Sequence, residues 1–267
     1  MKKSFPLSLE FIYQIFSLVV IVIVVHAFYV GIIRPNADAF LERQAALLRE
    51  DKSHVTERSG YVLIRDYEQE ACFILMLWAL AIMGYKAVLT FRHRALLNED
   101  LIPVTEGMKF LPEDARPLSR RIQALGPKQR DSLLPRALLA ALQRFGSTRN
   151  IQDASAASHA YCASEGDRLE SELSIIRYIA WAIPSVGFIG TVRGIGDALG
   201  QAHNAIEGEI FGVTKSLGVA FNSTFIALLI SIFLMFLVHQ LQLLQERYVL
   251  DTEAYCEENL IRHLQTQ

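Results

Sequence analysis

The sequence predicts an all-α membrane protein with four transmembrane helices, in which spans three and four are parts of long helices projecting into the cytoplasm. Three observations predict this class. Hydrophobic residues make up 52% of the 267-residue chain and charged residues only 20%, with a mean hydropathy of +0.26, which is typical of a chain that crosses a bilayer several times. Four apolar runs approach or exceed the ~20 residues that a spanning helix needs. The formal net charge is −2, so the chain lacks the basic field that nucleic-acid binding requires.

The four apolar runs divide the chain into nine segments. The first run carries no Lys, Arg, Asp or Glu, and the second carries only Lys86. The predicted segments are an N-terminal segment (1–10), span one (11–33), an outer segment (34–70), span two (71–91), a helical insert (92–177), span three (178–200), an outer loop (201–215), span four (216–239) and a helical tail (240–267).

The distribution of lysine and arginine predicts the orientation of the spans. Eighteen of the 26 lie in the N-terminal segment, the insert and the tail, or at the inner end of span two, whereas seven lie in the outer segment and outer loop. Basic residues collect on the cytoplasmic side of membrane proteins. We therefore expect both termini and the insert to be cytoplasmic. The three widely spaced cysteines form no CxxC pair, which excludes a zinc ribbon and a redox dithiol.

Two of the spanning helices are expected to extend beyond their apolar runs, and a separate helix is expected in the outer segment. Nothing interrupts the helical pattern between Asn150 and Pro184, so span three is predicted to be the upper part of one long helix. Leu241, Leu244 and Tyr248 continue the apolar stripe of span four beyond the membrane. In the outer segment, residues 37–52 have the pattern of an amphipathic surface helix.

Small residues share one face of span three and one face of span four. At about 100° per residue, the stripe of span four contains Ala220, Thr224, Ala227 and Ser231. Small residues allow membrane helices to approach closely, and threonine hydroxyls bond between helices or to their own backbone. These faces therefore fit either tight helix packing or a narrow polar passage. The stripe of span three contains Pro184, Gly187, Thr191, Gly194 and Ala198.

Arg193 is a charged residue inside a span. A charge at the bilayer centre costs at least ~2.5–3.5 kcal/mol, which makes such a residue a functional candidate by default. Asp197 follows one helical turn later and is a possible ion-pair partner. The alternative is that Arg193 acts as a gate or contacts the carboxylate of a partner. His26 in span one is expected to be packed or hydrogen-bonded rather than to bind a metal.

The chain has no residue pattern that indicates an enzyme. There is no Walker loop, no Ser–His–Asp arrangement and no HExxH, and the seven histidines are scattered. No carboxylate lies in the interior of any span, so the chain alone has no proton-binding acid at mid-membrane. We expect no catalytic residue, no metal site and no cofactor.

The two spans with small-residue faces resemble a known family. The segments PSVGFIGTVRGI, from Pro184 to Ile195, and VTKSLGVAFNSTFIAL, from Val213 to Leu228, resemble the MotA/TolQ/ExbB proton-channel family. Its signature is a Pro-x-x-Gly-x-x-Gly-Thr-Val-x-Gly helix followed by a helix with an Ala-x-x-x-Thr core. The resemblance covers residues 180–230, about a fifth of the chain.

The resemblance implies the ion-channel subunit of a rotary motor in the bacterial inner membrane, driven by the proton motive force. It implies a homopentamer, surrounded by lipid, around a dimer of a single-span MotB/TolR/ExbD-like partner that supplies an intramembrane aspartate. Protons, or sodium ions, are the transported species. Thr191 and Thr224 match the threonines that line the pore beside that aspartate, and Ser231 lies on the same stripe. Residues expected to allow close approach of the partner helix are Pro184, Gly187, Gly190, Gly194, Ala220 and Ala227.

The chain departs from the family pattern at three positions. Val219 stands where transport-type members often carry a glutamate, Phe233 stands where a proline is common, and Arg193 is unusual at its place. Four spans resemble the flagellar stator arrangement more than the three-span transport type. Motility, outer-membrane import, envelope maintenance and phage defence all stay open as the process that is energised. The alternative from another class is a structural or scaffold membrane protein without ion conduction.

Overall fold

The computed structural model describes residues 9–50, 59–104, 107–206 and 210–266. Nearly all of this part is helical. A π-helical turn (Tyr29–Ile33) and two 3₁₀ turns (Ala95–Asn98 and Ile261–His263) interrupt or follow α-helices. The α-helices are α1 (Leu9–Phe28), α2 (Arg34–Glu50), α3 (Gly60–Leu63), α4 (Tyr67–Arg94), α5 (Ala115–Gln123), α6 (Pro127–Arg130), α7 (Leu133–Thr148), α8 (Ile151–Glu172), α9 (Ser174–Gly200), α10 (Ala202–Ile206) and α11 (Phe211–Asn259).

Four helical segments of the described chain are long and apolar enough to cross a membrane. They are Leu9–Leu47, Tyr67–Asn98, Ile151–Gly200 and Phe211–His263. Each contains one of the four predicted runs. The prediction of an all-α membrane protein with four transmembrane helices is therefore confirmed.

The chain divides into two compact units. The first unit comprises Met1–Met83 and Ile175–Val238, and the second comprises Gly84–Ser174 and His239–Gln267. The four predicted spans contribute most of their length to the first unit, which also contains both stripes of small residues. The site predicted from the sequence thus lies within one unit.

In the first unit, spans one and two form an antiparallel pair. The Trp78 indole Nε1 donates to the Gln14 carbonyl oxygen at 2.9 Å, and the Tyr13 hydroxyl donates to the Ala81 carbonyl oxygen at 3.3 Å. Towards the other end of the pair, Tyr29 is buried in an apolar cluster. Hydrogen bonds in hydrocarbon have no water to compete with them, so these contacts fix the register of the pair.

The outer segment begins as a direct continuation of span one. The π-helical turn passes into α2 without a break, and α2 ends at Glu50. The helix predicted for residues 37–52 is present from Ala37 to Glu50, and its last two residues lie outside the described part. In a π-helical turn each backbone hydrogen bond spans five residues instead of four, so the turn holds one extra residue. Here the turn places Tyr29 and Ile33 in the apolar cluster.

Spans three and four both belong to helices that extend well beyond the apolar runs. α11 contains 49 residues without interruption, so the long helix predicted for span four is confirmed. The long helix predicted for span three is divided into α8 and α9 by Leu173 alone, whose amide bonds to the Glu170 carbonyl oxygen at 3.1 Å. No glycine or proline marks this break in the sequence.

The second unit folds around α7. This helix buries one complete face, including the fully enclosed side chains of Leu134, Leu138 and Phe145. Two tyrosines of α11 satisfy backbone amides at the edge of this core: the Leu133 amide donates to the Tyr248 hydroxyl at 3.2 Å, and the Leu101 amide donates to the Tyr255 hydroxyl at the same distance. The predicted helical insert and helical tail therefore share one core.

Phe145→Ala should lower the free energy of unfolding by about 3–5 kcal/mol, because it empties a fully buried aromatic position. The matched control is the neighbouring exposed position, Arg144→Ala, which should change stability by less than about 0.5 kcal/mol. Denaturant unfolding of the full chain in detergent measures both. Equal stability of the two variants would contradict the described core.

Candidate functional site

The small-residue faces of spans three and four pack directly against each other. Gly187 and Gly194 of α9 are buried, and Ala220 and Ala227 of α11 are fully enclosed. A Cβ atom placed on Gly187 would lie 2.6 Å from the Ala227 Cβ, and one placed on Gly194 would lie 2.7 Å from the Ala220 backbone nitrogen. Only glycine therefore permits this separation of the two helices.

This packing changes the role expected for the small residues. From the resemblance we expected them to face the helix of a partner, but the structure turns Gly187, Gly190, Gly194, Ala220 and Ala227 towards each other within one chain. The physical reason is that the two stripes fit each other, and burying both together lets the backbones approach. Pro184 lies inside α9 and is half-buried.

Thr191 and Thr224 meet at the centre of this helix pair. Their hydroxyls are hydrogen-bonded to each other, and both side chains are half-buried. The Thr224 hydroxyl lies 3.1 Å from the Gly187 carbonyl oxygen, and the Thr191 hydroxyl lies 3.1 Å from the Ala220 carbonyl oxygen. The two threonines predicted from the sequence are therefore brought into contact, and we call them the threonine pair.

The threonine pair has more acceptors than protons. Each hydroxyl carries one proton and two lone pairs, so each proton can go to the other hydroxyl or to a backbone carbonyl. A hydroxyl that breaks its hydrogen bond to a backbone carbonyl can donate to an incoming carboxylate. The lone pairs of the same hydroxyl can accept a hydrogen bond from a protonated carboxyl. The pair can thus bind an acid in either protonation state.

Two serines complete the hydroxyl groups of this interface. Ser231, predicted to line the ion path, is half-buried and donates to the Ala180 carbonyl oxygen of span three at 2.9 Å. Ser223 is fully buried, and its hydroxyl lies 3.0 Å from the Ala220 carbonyl oxygen. A Cβ atom on Gly190 would lie 2.4 Å from the Ser223 Oγ. The residues predicted from the sequence did not include Ser223, although its position beside Thr224 was a usable signal.

Arg193 forms a forked ion pair with Glu68, which lies on the first turn of α4. Its Nε lies 2.7 Å from Glu68 Oε1 and its Nη2 lies 2.8 Å from Glu68 Oε2. The Glu68 side chain is 10% exposed and that of Arg193 is 42% exposed. Local spacing suggested Asp197 as the partner of Arg193. The guanidinium instead points towards α4 and binds the Glu68 carboxylate.

A second buried carboxylate ties span two to span one. Glu70 is 5% exposed; its Oε1 lies 2.7 Å from His26 Nδ1, and its Oε2 binds the Arg34 guanidinium. The hydrogen bond expected for His26 is confirmed, but with an acidic partner that the sequence did not indicate. Within the described residues, no cluster of His, Cys, Asp and Glu is arranged to hold a metal ion.

Asp66 immediately precedes α4, the helix that carries these two glutamates. Burial raises the pKa of its carboxyl, and the nearby charges of Arg65, Arg193 and Lys215 act in the opposite direction. Asp66, Glu68 and Glu70 were assigned to the outer segment by their sequence, yet all three are largely buried. The usable signal was Arg193, since a charge within a span requires a partner.

Residues 129–254 match the model of the MotA/TolQ/ExbB proton channel family. The matched segment contains α9, with Thr191, and the part of α11 that carries Thr224. The resemblance is therefore confirmed and extends beyond the residues that first indicated it. This is a family of ion channels that energise other processes and not a family of enzymes. No curated protein and no solved structure matches the chain.

Gly194→Ala should destabilise the first unit by about 1–3 kcal/mol, because the added methyl meets backbone atoms that cannot give way. Gly196→Ala is the matched control two residues away, since its Cβ would meet no atom within 4 Å. Thermal unfolding of the purified full chain in detergent measures both. A Gly194→Ala protein as stable as the Gly196→Ala control would contradict the close approach.

Proposed function

We propose that this chain, which the match over residues 129–254 groups with the MotA/TolQ/ExbB proton channel family, is the ion-channel subunit of a motor driven by the proton motive force. The observation that carries the proposal is the threonine pair, two half-buried hydroxyls that meet between the spans of the family motif. The family match supports a general role in ion-driven energisation. The assembly, the partner and the rotary output are our inference.

The acid that binds protons comes from another polypeptide. Two buried carboxylates of the first unit already have both oxygens bound by other side chains, Glu68 by Arg193 and Glu70 by His26 and Arg34. Their oxygens hold the helices together, so we assign the binding of transported protons to a different carboxyl. A single-span partner with an intramembrane aspartate would supply the missing group.

The threonine pair would hold this aspartate in both of its states. When the carboxyl is protonated, its O–H donates to a threonine oxygen. When the proton is released, a threonine hydroxyl leaves the Gly187 or Ala220 carbonyl and donates to the carboxylate. The same hydroxyl oxygens can coordinate a sodium ion, so protons and sodium ions are both compatible with the pair.

The driving force and the assembly follow from the family pattern. Moving one charge through 100 mV supplies ~2.3 kcal/mol, so several ions per cycle can rotate one component against another. We infer a homopentamer around a dimer of the partner, in the bacterial inner membrane with both chain termini cytoplasmic. The large exposed apolar side chains of spans three and four, such as Val192 and Phe221, are available for lipid and for neighbouring copies.

The competing proposal is a scaffold that conducts no ions. It is favoured by one observation, namely that the threonine hydroxyls also join the two helices through Gly187 and Ala220. Under that proposal the pair only stabilises the fold. The two proposals differ in what loss of the hydroxyls does to ion flux in an assembled complex.

Thr191→Val combined with Thr224→Val should reduce proton-driven activity at least tenfold while the complex still assembles, because the methyl group keeps the volume and removes the acceptors. Thr214→Val is the matched control on α11, since the Thr214 hydroxyl donates to the Ile210 carbonyl oxygen, one turn earlier in the sequence, at 2.8 Å. Proton uptake into vesicles measures both. Unchanged flux in the double variant would refute the role in the ion path.

Native mass spectrometry of the complex purified from its own membrane tests the assembly. We expect five copies of the 30.1 kDa chain together with two copies of a smaller single-span protein. A homomer that copurifies with no aspartate-bearing protein would favour the scaffold.

A further inference from the structure

The ion pair between Glu68 and Arg193 shares helix α9 with the threonine pair, since Arg193 and Thr191 both belong to α9. Arg193 follows Thr191 by two residues on α9. The Arg193 side chain is 42% exposed, whereas the Glu68 side chain is almost enclosed. A cation this close to an ion path would oppose the passage of other cations unless its charge were offset.

The structure builds a specific place for the Glu68 side chain. A Cβ atom on Gly190 would lie 3.1 Å from Glu68 Cγ, so the absence of a side chain at residue 190 leaves room for Glu68 to pack against α9. In this position Glu68 Oε1 lies 2.7 Å from Arg193 Nε, and Glu68 Oε2 lies 2.8 Å from Arg193 Nη2. A forked arginine–carboxylate pair of this kind is stronger and better oriented than a single contact.

We propose that Glu68 neutralises Arg193, so that the threonine pair is not exposed to an unbalanced positive charge. The inference rests on the proposed ion path and adds to it a residue from the first turn of α4. Glu68 is a positioning residue, since it acts through Arg193 and not by binding the ion itself. Because Glu68 lies outside the segment matched to the family, neither the motif nor the match indicates this role.

The size of the effect follows from Coulomb's law. Side chains on opposite faces of one helix are separated by roughly 10 Å. At an effective dielectric constant of about 20, a unit charge at that distance changes the occupancy of a neighbouring cation by roughly tenfold to twentyfold. Loss of Glu68 alone should therefore lower ion flux about tenfold.

Other charged groups around Arg193 moderate this effect without replacing Glu68. Asp66 and Asp197 contribute to the field at the guanidinium, and Lys215 and Arg65 face Asp66. Neither of these two aspartates makes the forked contact that Glu68 makes. They keep the effect at the lower end of the tenfold-to-twentyfold range, because neither replaces the direct contact with Glu68.

Three variants of the complete complex test the proposal, with proton flux measured per assembled complex. Glu68→Gln should lower flux about tenfold and move the external pH of half-maximal flux down by about one unit, because a nearby positive charge favours the ionised form of the partner's carboxyl. Glu68→Asp, which keeps the charge, should stay within about threefold of the parent protein. Glu68→Gln with Arg193→Gln should recover to within about twofold.

The matched control is Glu70→Gln, which breaks a similar buried contact to span one. It should lower stability and leave the pH profile unchanged. If Glu68→Gln fails to assemble, the comparison is made in the Arg193→Gln protein, where removing the Glu68 charge should no longer reduce flux. A tenfold loss in that background would overturn the proposal.

Two further results would overturn it. One is a double variant as impaired as Glu68→Gln, and the other is equal flux in Glu68→Gln, Glu68→Asp and the parent protein. Either result leaves the ion path itself intact. Normal conduction by the threonine variants would instead contradict the proposed function, so the two failures are distinguishable.

Discussion

The first unit depends on the close approach of spans three and four. Lipid gives two apolar helices no hydrophobic reason to associate, so the contact must come from packing and hydrogen bonds. Gly187, Gly190 and Gly194 provide this contact, since a Cβ at any of them would lie within 2.8 Å of an atom of span four. The same approach brings the threonine hydroxyls together. A larger separation would lose the packing and the hydroxyl site at once.

Span two adds a second constraint through its buried charges. Glu68 and Glu70 stand on the first turn of α4; Glu68 binds Arg193 of α9, and Glu70 binds Arg34 at the start of α2. A buried ion pair gains little net stability, but removing one partner leaves an uncompensated charge and is costly. These pairs therefore fix which helices are neighbours. The pair with Glu68 also offsets part of the free-energy cost of placing the Arg193 charge in an apolar span.

Much of the fold could be predicted from the sequence because hydrophobic run length and helical spacing are local properties. The four spans and the length of α11 follow from them. The break at Leu173 could not be predicted, since no proline or glycine marks it. The stripes of small residues showed where close packing occurs but not which helix fills it. Local spacing likewise offered Asp197 to Arg193, whereas the actual partner, Glu68, is 125 residues away.

The sequence indicated Thr191 and Thr224 as two separate residues, but it did not indicate that their hydroxyls are in contact. Each threonine stands out only because its neighbours are small, whereas the contact between the hydroxyls depends on the register of α9 against α11. The buried carboxylates show the same limit, since their sequence places them in a polar outer segment. What the structure adds is that the oxygens of Glu68 and Glu70, on the first turn of α4, are already bound by other side chains. This observation supports the proposal that the proton-binding acid is supplied by another polypeptide.

Reconstitution into liposomes tests this central claim most directly. The purified chain alone, held under a membrane potential and a pH gradient, should pass no more protons than empty liposomes, and flux should begin when the copurifying single-span protein is included. Proton flux through the chain in the absence of any other polypeptide would contradict the account.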